Sequence, residues 1–156
     1  QKDCDDAMNA QDRFAKDIEL YWNCKLKQDY RVKDGRKKTD IYMPIDYIIT
    51  KDTPMVKGYI ELKCRNINSY KYPSLMLDLT KVMHMKQYSE LTGLPVFVGV
   101  RYKDKDMYYL FDPKKKYNIY FTGRTKQKRC EYDVTQCCYL WLKDFEEFKK
   151  RSENDR

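Results

Sequence analysis

Apolar and polar positions follow two periods along this chain, and the switches between them mark out its elements. From Asp5 to Gln28, the apolar residues Ala7, Phe14, Ile18, Tyr21, Trp22 and Leu26 recur at helical spacing. Charged residues fill the other face and no Pro or Gly intervenes, so one long amphipathic helix is expected. Tyr30-Arg31-Val32 reads as extended, and Lys33-Asp34-Gly35-Arg36 supplies turn chemistry. Strand signals follow over Ile41 to Thr50, then a turn at Asp52-Thr53-Pro54 and a returning strand from Lys57 to Cys64. Arg65 to Pro73 is a polar, tyrosine-bearing loop. Ser74 suits the N-cap of a helix from Leu75 to Thr92, with Leu75, Leu79, Val82, Met83 and Leu91 on its apolar face. Gly93, with Pro95 just beyond, is a fitting stop.

Val96 to Val100 is a continuous apolar run, the pattern of a strand covered on both faces. Lys103-Asp104-Lys105-Asp106 turns it into a second strand, Met107 to Phe111. Lys114 to Arg129 is basic and aromatic, with a weak strand signal at Tyr117 to Phe121. Cys138 to Leu142 reads as a strand, and Lys143 to Arg151 as a closing helix. Neither repeat nor linker interrupts this order. The expectation is one mixed α/β domain over 1–156: a central mixed sheet flanked by helices, a core over about 12–111, and a basic extension over 113–156.

Composition narrows the partners. The 156 residues favour one domain with a real core, and 42% hydrophobic content excludes a disordered tail. A net charge of +8 favours a polyanionic partner, nucleic acid ahead of an anionic membrane. No apolar run approaches the ~18 residues of a membrane span, and no secretory apolar region stands near the start. The six cysteines lack C-x-x-C spacing, which favours reduced thiols and a cytoplasmic location over a disulfide framework. Cys130, Cys137 and Cys138 with the single histidine, His84, do not make a zinc finger.

Candidate chemistry sits in the first hairpin. Asp46 lies within the apolar run Pro44-Ile45-Asp46-Tyr47-Ile48-Ile49-Thr50, and Glu61 and Lys63 lie within Tyr59-Ile60-Glu61-Leu62-Lys63-Cys64. Charges in apolar strands are costly unless something pairs with them. Alternation puts Glu61 and Lys63 on one face and Ile60 and Leu62 on the other. A turn centred near Thr53-Pro54 sets Asp46 opposite Glu61, and opposed side chains have Cβ atoms only ~5 Å apart. Two carboxylates, with the Leu62 backbone carbonyl as a further oxygen, suit Mg²⁺ or Mn²⁺ with a substrate phosphate. Lys63 is placed to position the attacking water or to neutralise charge developing on the phosphate. Glu-x-Lys alone is also the look of a same-face ion pair on a solvated sheet; the apolar flanks and the register of Asp46 favour the site.

Pro44-Ile45-Asp46 and Glu61-Leu62-Lys63 resemble the motif of the PD-(D/E)xK nuclease superfamily, which includes restriction endonucleases, Holliday-junction resolvases and phage exonucleases. Ile45 loosens the Pro-Asp pair here. The order helix, hairpin, helix, strand is similar to that family's core over about Asp12 to Phe111, and the chain looks closest to small phage-type or resolvase-like members. The resemblance implies a restriction-endonuclease-like fold and a Mg²⁺- or Mn²⁺-dependent nuclease acting on DNA. One form it suggests is a homodimeric branched-DNA resolvase, in the host cytoplasm if the origin is phage. It implies a metal-proximal acid on the first helix, with Glu19 favoured over Asp12 and Asp17. It also implies supporting polar residues on the later helix: Lys81, which would touch the scissile phosphate, ahead of Lys86 and Gln87.

Three basic clusters, Arg36-Lys37-Lys38, Lys114-Lys115-Lys116 and Arg124 to Arg129, are candidates for phosphate contact. The strongest is the last, with Arg124, Lys126, Lys128 and Arg129, because aromatics interleave with the cations nearby. RNA is not separated from DNA by any of this. A competing reading is a catalytically silent nuclease-fold module that binds nucleic acid or a protein partner. The acid-acid-lysine set argues for the enzyme.

Overall fold

A computed structural model describes residues 2–28, 45–123 and 134–149. Helix α1 (Lys2–Trp22) leads into strand β1 (Lys25–Lys27), then β2 (Tyr47–Thr50), β3 (Gly58–Cys64) and β4 (Ser74–Asp78). Helix α2 (Leu79–Thr92) follows, then β5 (Val96–Arg101), β6 (Asp106–Leu110), β7 (Ile119–Gly123), β8 (Val134–Trp141) and β9 (Glu146–Glu147). Six strands form one mixed sheet in the order β1-β2-β3-β5-β6-β9, and three form a second sheet in the order β4-β8-β7. Among the described strands of the large sheet, only β3 and β5 run parallel, joined through β4 and α2. The architecture is the mixed α/β one expected, with a mixed sheet and two helices among the described residues.

Side-chain alternation along β3 divides the core in two. Ile60 and Leu62 meet Phe14, Ala15 and Ile18 of α1, with Tyr47 and Ile49 from β2. Tyr59 faces the opposite way, into a larger cluster with Val82 and Met85 of α2 and Val96, Val98 and Val100 of β5. That cluster is roofed by Leu75 and Leu77 of β4 and by Cys138 and Leu140 of β8. Burying that much aliphatic surface is the main favourable term, at about 25 cal/mol per Å².

Several elements depart from expectation. The first helix stops at Trp22, not Gln28. Asn23 takes a left-handed φ of 49°, and Leu26, which continues the helical spacing, instead pairs with Ile49 across β1–β2. The helix expected from Leu75 starts at Leu79, because Ser74–Asp78 pairs with β8 and buries Leu75 and Leu77 by strand alternation. Its N-cap is therefore Asp78, not Ser74; Gly93 does close it, at φ 67°. The closing helix is absent among the described residues. A short 3-10 turn (Leu142–Asp144) and β9 take its place, sending Phe145 to the α2 side and Phe148 to the α1 side. The extended stretch at Tyr30, the turn at Lys33 to Arg36 and the strand start at Ile41 to Pro44 lie outside the described residues. Among those described, no helix is long and apolar enough to cross a membrane.

Candidate active site

Strand β3 runs between β2 and β5, so a side chain at its middle has neighbours on every side. Glu61 sits there with only 1% of its surface exposed. The β2–β3 ladder pairs Tyr47 with Ile60, and one further step brings Asp46 beside Glu61, the register the sequence leads one to expect. Two hydrogen bonds hold the corner. The Asp46 amide donates to Glu61 Oε2 at 3.2 Å, and the Leu62 amide donates to Asp46 Oδ2 at 2.9 Å. The wholly buried Ile45 anchors the residue before.

Two ammonium groups converge on the same carboxylate. Lys63 Nζ lies 3.4 Å from Glu61 Oε1, as expected for neighbours on one strand face. Lys81 Nζ, from the first turn of α2, lies 3.3 Å from Glu61 Oε1. Burial raises the Glu61 carboxyl above the usual carboxylate range, and the charge of Asp46 raises it further; Lys81 and Lys63 pull it back. Two acids pressed together in a desolvated corner, made of hard oxygen donors, fit a divalent cation, which relieves their repulsion.

The helix-one acids fall elsewhere. Glu19 accepts a hydrogen bond from the Leu26 amide at 3.1 Å and so braces the turn from α1 to β1. Asp17 is paired with Arg101, which also binds Asp106. Asp12 accepts from the Tyr47 hydroxyl at 3.1 Å. No group of three or more metal-ligating side chains gathers among the described residues, so Glu19 does not join Asp46 and Glu61 in this arrangement. On α2, Lys86 is exposed and pairs loosely with Glu90 at 4.0 Å, and Gln87 is exposed; neither is brought to Glu61 as Lys81 is. Helical geometry separates them, since residues five and six apart do not share a face. Arg124, Lys126, Lys128 and Arg129 lie outside the described residues.

A family model described as phage putative PDDEXK endonuclease matches residues 4–148. The chain belongs to this family. Among solved structures, the PDDEXK chain is similar to the 1.6 Å structure of Archaeoglobus fulgidus Hjc, a Holliday junction resolvase from an archaeal hyperthermophile. The TM-score is 0.48 at 14% identity, over 88% of this chain and 91% of that one. No curated protein matches.

Sequence reasoning missed two features of this PDDEXK endonuclease. One is the Tyr47–Asp12 bond, which ties α1 to the residue after Asp46. Burial raises the Tyr47 phenol, helped by that bond and by the charges of Asp12 and Asp46. The other is a cleft lined both by Thr135 and Gln136 of β8 and by Lys81 of α2. Neither has a local sequence signal, because both join elements far apart in the chain.

Proposed function

We propose that this chain hydrolyses phosphodiester bonds in DNA with Mg²⁺ or Mn²⁺ held by Asp46 and Glu61. The observation that carries the reading is the buried cross-strand acid pair with two lysines on one of its oxygens. A divalent ion held by Asp46 and Glu61 would supply a more acidic water and a charge partner for the phosphate. Asp46 is oriented for ligation by the Leu62 amide, and the Leu62 carbonyl is the further oxygen expected to ligate. Lys63 and Lys81 neutralise Glu61 in the free protein. Once a cation takes over that task, their ammonium groups serve the phosphate. Lys63 positions the water and offsets charge developing on the phosphate oxygens, and Lys81 holds the scissile phosphate. The match over residues 4–148 supports the same reading.

The test is cleavage of linear, nicked, flap and four-way DNA with Mg²⁺ or Mn²⁺, with and without EDTA. We expect EDTA to abolish cutting and Lys63→Ala to slow it by about 10²–10³-fold. Activity unchanged in that variant removes Lys63 from the mechanism. Mn²⁺ calorimetry showing no binding, with DNA affinity retained, favours a silent binding module instead.

A further inference from the structure

The small sheet extends past the core it covers. Cys138 and Leu140 of β8 point into the core. Gln136 lies on the same face by strand alternation, yet it is exposed. Directly across from it on β7 is Phe121, 74% exposed, and two residues earlier on that face is Ile119, 54% exposed. Paired residues on one face have Cβ atoms only ~5 Å apart, so Phe121 and Gln136 stand side by side. A cleft of about 590 Å³ lies between this overhang and the start of α2, lined by Thr80, Lys81, His84, Thr135 and Gln136 among others. Lys81 is also the residue 3.3 Å from Glu61, so one side chain links the cleft to the acid pair.

Its chemistry suits a nucleotide. An ammonium, an amide and hydroxyl groups line it, and Asp78 is the one acid among its described lining residues. The buried Nδ1 of His84 has no hydrogen-bond partner. In sequence, β7 is preceded by Lys114-Lys115-Lys116, and exposed aromatics near cations are a surface on which bases stack. Resting on the nuclease reading above, we propose that this cleft seats an unstacked nucleotide of the DNA strand beside the scissile phosphate, with Phe121 stacked on its base. A paired base is held in the duplex stack and cannot enter without opening. The favoured substrate is therefore DNA with unpaired nucleotides next to the cut.

The experiment measures affinity of the full chain in EDTA, by fluorescence anisotropy, for a flap DNA and for a fully paired duplex. Phe121→Ala is expected to weaken flap binding by about 10-fold, to change duplex binding by less than about 2-fold, and to be restored by Phe121→Tyr. Equal loss on both DNAs, or no loss on the flap, overturns the proposal. So does a shift from dimer to monomer by sedimentation with flap affinity unchanged, which would assign this face to a second copy of the chain. Failure of the wild-type protein to bind any DNA overturns the nuclease reading itself, a result distinct from wild-type binding that ignores Phe121. Phe121 is exposed, so an unchanged circular dichroism melt is expected for its variants.

Discussion

Asp46 and Glu61 are held by the backbone as much as by each other, and that separates their role in function from their role in folding. Asp46→Asn keeps an oxygen for the Leu62 amide and removes a like charge from beside Glu61. We expect its thermal midpoint to hold or rise while Mn²⁺ binding by calorimetry disappears. A drop of more than about 1 kcal/mol would instead make Asp46 a structural anion. Gly58 answers to a different constraint. A Cβ there would come within 2.7 Å of the Pro95 carbonyl oxygen, a backbone atom whose partner is the Tyr59 amide at 3.0 Å. Gly58→Ala should therefore push β3 from β5 and cost about 1–3 kcal/mol in urea unfolding. Cys24 offers a pH test. Burial pushes its thiol up to about 11 from an ordinary 9.0. The folded chain thus keeps a proton that the unfolded chain releases first, and the contribution is present below pH 9 and lost as pH rises towards 11. Alkylation of Cys24 at pH 8 should accordingly be slower in the folded protein than in urea.

Elements here are decided by what they pack against. Leu75 and Leu79 fit a helical stripe, but Leu75 and Leu77 also fit a strand, and the partner β8 selects the strand. Phe145 and Phe148 are three apart, as on one helix face, yet the chain crosses the sheet edge through β9 and sends them to opposite sides. Phe148 then becomes the clasp on α1. Its ring stacks on Tyr21 at 5.1 Å and meets Trp22 at 4.9 Å and Tyr108 at 4.8 Å. Phe148→Ala is expected to cost about 3–5 kcal/mol, read as a lowered urea midpoint, with the melt still cooperative. Arg101 reinforces the same junction. It grips Asp106 at 2.8 Å, pairs with Asp17 of α1, and lies over the Phe14 ring at 4.7 Å.

At the scale of the molecule, a net charge of +8 gives the chain an electrostatic reach that no single contact supplies. DNA affinity should fall linearly with salt on a log–log plot, with a slope of about −0.9 for each phosphate neutralised. Neutralising Lys114 and Lys116 together should flatten that slope by about 2 and weaken all DNA sequences alike; Lys115 is partly spent on Asp144 at 3.4 Å. An unchanged slope would place the phosphate track elsewhere. The β2–β3 hairpin, its register and hence the meeting of Asp46, Glu61 and Lys63 were legible in the sequence, because alternation and a turn between neighbouring strands are local facts. Lys81 was expected from the family resemblance rather than from any period, and it stands 3.3 Å from Glu61. The tertiary structure alone decided that Ser74–Asp78 is a strand and that the Glu19 carboxylate braces a turn. It alone set the β7–β8 overhang facing Lys81. Those outcomes depend on partners fifty or more residues away or on where the chain bends, and such pairings leave no period in the sequence that bears them.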